Sequence, residues 1–348
     1  MSTEQYSPLG QLVLARLREF FRQPEVVFWV YGFPLLMVVA LGIAFRNKPI
    51  EHIGVGVQQG EQGEVANKAL SADPKFQLRL CDPNECRLLL RTGKIDLVVI
   101  AAAGPHYDYF YDPTRPESAL ARTRVDDALQ RAAGRKDAAA VGDVELTETG
   151  ARYIDFLVPG LLAMGLMGGG LWGVGFVIVD MRIRKLLKRF IATPMKKHQF
   201  LAGIMISRFI FMVPEIALLL LFARLAFGVQ VQGSLLTVMV FVFLGAFTFA
   251  GIGLLVGSRA KTVETVSGLM NLVMLPMWIL SGIFFSSERF PAAVQPFINI
   301  LPLTPLINAL RAVILEGHSL FQLWPQVVIL TAWGVVTFAL SLKWFRWM

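Results

Sequence analysis

DMRIRKLLKRFIATPMKKHQ, residues 180–199, is a short basic segment with a long apolar run on either side. Its arginines and lysines alternate with Leu, Phe and Ile, the pattern of a small amphipathic helix stopped by Pro194. A segment of this kind between two membrane-length runs marks where lipid ends. We read it as the place that receives force from a protein on the cytoplasmic side.

The flanking runs belong to a larger set. Residues 26–45, 153–179, 200–227, 234–256, 262–285 and 324–345 are each apolar enough, at about twenty residues, to cross a hydrocarbon core of roughly 30 Å. Over the 348 residues, 55% are hydrophobic and 17% charged, and the mean hydropathy is +0.57, which excludes an ordinary soluble protein. The fold class expected is a membrane all-α protein of six transmembrane helices. Residues 1–25, with Leu9, Leu12, Val13, Leu17, Phe20 and Phe21 at helical spacing among Arg16, Arg18 and Arg22, read as a cytoplasmic amphipathic helix in the membrane interface. Residues 286–323 are cut by Pro291, Pro296, Pro302 and Pro305 into pieces too short to span, and read as re-entrant or interfacial helices on the outer side.

Residues 46–150 differ in character. Strand-like runs at 53–57, 76–80, 95–101 and 107–111 alternate with helical patterns at 63–71, 84–91 and 117–133, punctuated by Asp-Pro and Gly-Pro turns. This is an inserted extracytoplasmic α/β domain between the first two spans. It carries 14 Lys and Arg against 16 Asp and Glu, a net −2, so the membrane-associated remainder, with 19 against 9, holds +10 and sets the chain's overall +8. That placement assigns the basic excess to helix ends and argues against a nucleic-acid partner. Cys81 and Cys86 both fall in the insert, where an oxidising compartment permits a bridge as readily as two free thiols.

Basic residues set the orientation. With the N-terminus inside, fourteen lysines and arginines fall on cytoplasmic segments, seven of them within 180–199, against Arg289 and Arg311 outside. Both termini are then cytoplasmic in a multi-pass membrane protein.

Few residues suggest chemistry. Glu215, beside Pro214 near the middle of the third span, is costly in lipid unless paired or facing a polar cavity. It is read as lining a transport path or as making a buried hydrogen bond, and its helix offers no certain partner. Asn271, with Pro276, is a second candidate for the path or a polar kink. Arg152 and Asp155 read as interfacial. Gly165, Gly169 and Gly173, four apart on the second span, read as a surface for close helix packing or dimerisation. The four histidines are scattered, so no metal site is expected. No nucleophile motif and no G-x-x-x-x-G-K-[ST] loop is present, so the chain reads as a non-catalytic subunit without its own cofactor.

Four stretches carry a resemblance that covers nearly the whole chain: FFRQPEVVFWVYGFPLLM (20–37); LVPGLLAMGLM (157–167) followed by RKLLKRFIATPMKKHQFLAGIMISR (184–208); SGIFFSSERFP (281–291); and INILPLTPLINALRAVILEG (298–317). These are similar to the permease subunits of ABC-2 type transporters. The resemblance implies that residues 180–199 form the coupling-helix loop, with Asp180, Arg184, Lys185, Leu186, Leu187, Lys188, Arg189, Phe190, Ile191 and Pro194 meeting the ATPase and Leu186, Leu187, Phe190 and Ile191 as the docking face. Members often carry a Glu-Arg-x-x-Gly-Thr run just before this helix. Here Asp180 stands in the acidic place and the Gly-Thr is absent.

The resemblance further implies cytoplasmic ABC ATPase subunits that bind ATP and Mg, a second permease copy or a sibling permease, a periplasmic adaptor, and export of a hydrophobic or amphipathic substrate. Two other classes compete. A receptor sensing through its outer domain lacks a cytoplasmic signalling domain, and an ion-driven secondary transporter would favour inverted repeats, which are not evident.

Overall fold

The computed structural model describes residues 8–44, 52–102, 106–136, 139, 152–191, 197–258 and 260–344. The chain forms two compact units, residues 1–46 with 146–348, and residues 47–145. Helix α1 (Pro8–Phe21) opens the first unit and buries Leu12, Val13 and Phe20. The first span, Pro24–Ala44, follows, with one wide π-helical turn at Phe28–Gly32.

The second unit is the insert. Its four-stranded sheet has the order β2-β1-β3-β4, with β1 (Ile53–Gln58) parallel to β2 (Phe76–Cys81) and to β3 (Leu97–Ala101), and β4 (Tyr107–Phe110) antiparallel to β3. Helices α2 (Glu61–Leu70) and α3 (Pro83–Arg91) make the two crossovers that parallel strands require. The sequence IGVGV explains how two layers of side chains fit on β1. Its Ile53, Val55 and Val57 face a core closed by Ala66 and Leu70 of α2 and by Ala121, Val125 and Leu129 of α4 (Pro116–Ala132).

On the other face Gly56 leaves room for Ile95 and for both sulfurs of the Cys81–Cys86 disulfide, whose Cα atoms are 5.4 Å apart. The two thiol readings are thereby resolved in favour of the bridge, buried with Leu89 and Val98. Asp82 caps α3, accepting from the Asn84 and Glu85 amides at 2.9 and 2.8 Å, with Pro83 in the first helical turn. On β4, Tyr109 donates to Asp126 of α4 at 3.0 Å, and burial together with that carboxylate pushes its phenol pKa upward.

The remaining spans are Tyr153–Ile183, Gln199–Phe227, Leu235–Gly257, Val263–Leu280 and Trp324–Trp344. The second runs longer than its apolar pattern suggests, because Asp180–Ile183 continues the helix; the fifth is shorter, ending before Ser281. The fourth span lies at the centre, with 67% of its apolar window buried against 17% for the first.

Backbone contact between spans two and four creates that centre. A Cβ on Gly253 would meet the Gly170 carbonyl oxygen at 2.5 Å and the Leu171 Cα at 2.9 Å, and one on Gly257 would meet the Gly175 oxygen at 3.0 Å. Span two is π-helical over Leu171–Phe176 at this crossing. The close-packing glycines are therefore Gly170, Gly175, Gly253 and Gly257 rather than the 165/169/173 series.

Between spans five and six lie a short turn at Ser287–Arg289 and helices Gln295–Ile300 and Leu303–Glu316. At fourteen residues the longer of these reaches about 21 Å, too short to cross a bilayer. It buries Leu303, Leu306, Leu310 and Val313 in the main core. Its Arg311 donates to the carbonyls of Phe156 and Gly282 and lies 3.5 Å over the Phe156 ring, tying this helix to span two.

Replacing Gly253 by Val should therefore cost about 1–3 kcal/mol of overpacking, read as a lowered melting temperature of the detergent-solubilised protein. Gly268→Val, on an open helix face with nothing within 4 Å, should leave it unchanged.

Candidate functional site: the elbow and the buried ion pair

The second span ends in an elbow. Ile183 is the last residue of the helix, and Lys185 takes φ 59°, a left-handed conformation that costs an L-residue about 1–2 kcal/mol. A short helix, α5 (Leu186–Ile191), leaves in a new direction. The expected amphipathic helix is thus present but short, and Pro194, its expected stop, lies outside the described residues.

Two side chains hold the elbow. Leu187 is 1% exposed and sits in a cluster with Leu12 of α1, Ile178 of span two, Phe200 and Ile204 of span three, and Leu254 of span four. This corrects the reading of a shared docking face, because Leu187 points into the bundle and anchors the elbow; Leu186 packs at the edge of the same cluster. The second holder is Arg182, which donates to the carbonyls of Ser258 at 2.9 Å, Gly257 at 2.8 Å, and Ala260. These carbonyls lie at the C-terminal end of span four, where helix hydrogen bonding leaves acceptors unpaired and the dipole favours a cation.

The free surface of the elbow is basic. Lys185 and Arg189 are exposed, and Arg184 is exposed and paired with Asp180 at 2.9 Å, an i,i+4 contact worth little in water. The side chains of Lys188, Phe190 and Ile191 are outside the described residues.

Deeper in the bundle, Glu215 does have a partner. Arg208, two helical turns earlier on span three, donates to it at 3.1 Å, and both are more than nine-tenths buried. Seven residues correspond to about 10.5 Å of rise, which the long arginine side chain bridges. Span two makes space for this pair with Gly165, Gly169 and Gly173. A Cβ on Gly165 would meet the carboxylate, one on Gly169 would land on the guanidinium, and one on Gly173 would touch the arginine stem. The stripe read as a dimerisation surface is thus a cradle for an intramolecular ion pair.

Other contacts converge near this point. Tyr31 of span one donates to the Phe211 carbonyl at 2.9 Å, and Phe20 of α1 stacks on Phe211 at 4.1 Å. Asn271 lies apart, exposed on span five between exposed Leu269 and Leu272, so the two candidate path residues are not brought together. At the N-terminal end of span two, Asp155 is fully buried and binds Arg152, which also donates to the Phe227 carbonyl at 2.7 Å.

Sequence reasoning overlooked Arg182 as a site residue. Its signal was position: a lone arginine inside the helical continuation of span two, level with the end of span four. Among the described residues no group of His, Cys, Asp and Glu has metal-binding geometry.

Comparison with known proteins bears on this architecture. A family profile described as ABC-2 family transporter protein matches residues 24–343. The inner membrane transport permease YhhJ of Escherichia coli (strain K12) is 31% identical over 128 residues, which is 37% of this chain and 34% of that protein. The linearmycin resistance permease protein LnrN of Bacillus subtilis (strain 168) is 26% identical over 202 residues, 58% of this chain and 51% of its own. The inner membrane transport permease YadH of Escherichia coli (strain K12) is 25% identical over 174 residues, 49% and 65% respectively. Each match spans less than two thirds of the relative's length. With six membrane-length helices, a short helix after the second, and a family match running from the first span to the last, the chain belongs to the ABC-2 family of transporter proteins.

Proposed function

We propose that this chain is the membrane-spanning subunit of an ATP-driven exporter, and that α5 is where a separate cytoplasmic ATPase pushes. The observation that carries the reading is the anchoring of the elbow. A segment that only marked the positive-inside boundary would need charge and nothing else. This one is fastened to spans two, three and four by Leu187 and to the end of span four by Arg182, so displacement of α5 acts on several helices at once. Lys185, Arg184 and Arg189 form the contact surface, with Lys188, Phe190, Ile191 and Pro194 as the remaining expected contributors.

The transporter pairs with a second copy or a sibling permease through membrane faces left open in the single chain. The face of span five carrying Asn271, Leu272 and Leu275 is one such surface, large and apolar with one polar group. Export is favoured over uptake by the relative named for linearmycin resistance, and an amphipathic cargo by the apolar surfaces. Both termini lie in the cytoplasm, and the helices at 295–316 turn within the outer half of the bilayer. The insert then faces the oxidising side, which agrees with its disulfide.

Two measurements test this. Reversing the exposed charges with Lys185→Glu and Arg189→Glu should reduce the ATPase that copurifies with the tagged chain from native membranes by tenfold or more, while Lys94→Glu in the insert should not. Full retention in the elbow variant would remove the coupling role. For orientation, Ser71→Cys should react with a membrane-impermeant maleimide in intact spheroplasts, and Lys343→Cys only after permeabilisation; the reverse pattern would invert the topology.

A further inference from the structure

The insert has a groove that the coupling reading does not use. The sheet is covered unequally: α2 and α4 close one face, whereas on the other the nine-residue α3 lies over β1 and β3. Register places Phe110 of β4 opposite Val98 of β3, on the α3 side, and Phe110 remains 49% exposed. Between the C-terminal half of α3 and the end of β4 runs an open groove of about 680 Å³.

Its lining is amphipathic. Leu90, Phe110 and Tyr111 supply apolar surface, and Arg87, Arg91 and Arg115 line it with them. Three cations converge here although the insert as a whole carries more acids than bases. Arg115 is held by Asp96 at 3.4 Å, which fixes its guanidinium beside Gly93. Arg87 lies 5.8 Å over the Phe110 ring, and among the described residues neither Arg87 nor Arg91 has an acidic partner. The one acid of the lining, Asp112, is turned to its own loop, accepting from the Thr114 amide at 2.9 Å and hydroxyl at 2.6 Å; these bonds hold its carboxyl below the usual range.

We propose that this groove binds a single small anionic amphiphile, its carboxylate or phosphate held by Arg87 and Arg91 and its apolar part lying on Leu90, Phe110 and Tyr111. Guanidinium groups pair with such oxyanions through paired N–H donors, and an apolar floor beside them selects a ligand with a hydrocarbon or ring portion over a free ion. The volume lies within the range of small-molecule sites, and an open groove of this size takes one molecule rather than a bilayer surface. The inference is independent of the direction of transport and of the elbow.

The test uses the full-length protein in phosphatidylcholine nanodiscs and decanoic acid carrying a diazirine. Irradiation should label peptides containing Arg87–Arg91 or Phe110–Arg115. Arg87→Ala with Arg91→Ala, both exposed, should lower that labelling about tenfold, the scale expected for losing charged hydrogen bonds. Phe110→Ala should lower it separately, with the melting temperature unchanged in both. Octyl phosphate should compete and octyl glucoside should not. The proposal is overturned if labelling persists in the double variant or if the methyl ester of the probe labels equally. It is also overturned if inorganic phosphate competes as well as octyl phosphate, or if only anionic-lipid vesicles, and not the monomeric probe, engage the groove.

Discussion

A charged or hydrogen-bonding group in hydrocarbon must find its partner within the protein, and that constraint organises the membrane unit. Three arginines meet it at three depths, each time on the second span or from it. Arg182 reaches from the C-terminal end of span two to the carbonyls that close span four. Arg208 lies against the Gly165 and Gly169 positions while pairing with Glu215. Arg311 takes the Phe156 carbonyl near the N-terminal end of span two and covers its ring. Span two is thus the post to which the elbow, the third span and the helix Leu303–Glu316 are tied.

The glycines of that span divide between two tasks set by direction around the helix. Gly170 and Gly175 admit the backbone of span four, whereas Gly165, Gly169 and Gly173 admit the ion pair of span three. Removing one partner of such a pair leaves an uncompensated charge, at a cost of about 3–5 kcal/mol, so the cradle and the pair depend on each other. A methyl group on Gly169 would fall on the guanidinium and push Arg208 from its place beside Glu215.

Much of the architecture was legible because it follows from period and length. Six apolar runs became six helices, IGVGV and IDLVVIA became neighbouring parallel strands, and Asp82-Pro83 opened a helix as its capping chemistry requires. The partners of polar groups were not legible. A stripe of glycines every four residues looks the same whether it receives a backbone or an arginine, and the i,i+7 relation of Arg208 to Glu215 exceeds the spacing at which helix neighbours usually meet. Leu187 was assigned outward because an amphipathic pattern gives an apolar face but not what covers it. The π turns at Phe28–Gly32 and Leu171–Phe176 have no signature in composition at all.

The placement of those attachments bears on how a push at α5 would spread. Backbone contact across Gly170, Gly175, Gly253 and Gly257 leaves little room for spans two and four to slide past each other at this seam. Span three is joined to them by side chains instead: the Leu187 cluster, Phe209 against Phe243 of span four, and Arg208 against the glycine stripe of span two; the Tyr31 and Phe20 contacts at Phe211, just before the Pro214 interruption of its hydrogen bonding, tie it to span one and α1. Such joints can rotate where a backbone seam cannot. Relative motion within the chain is therefore easiest along the side of span two that bears the glycine stripe, and because Arg208 and Glu215 both belong to span three they stay paired when that span shifts against span two.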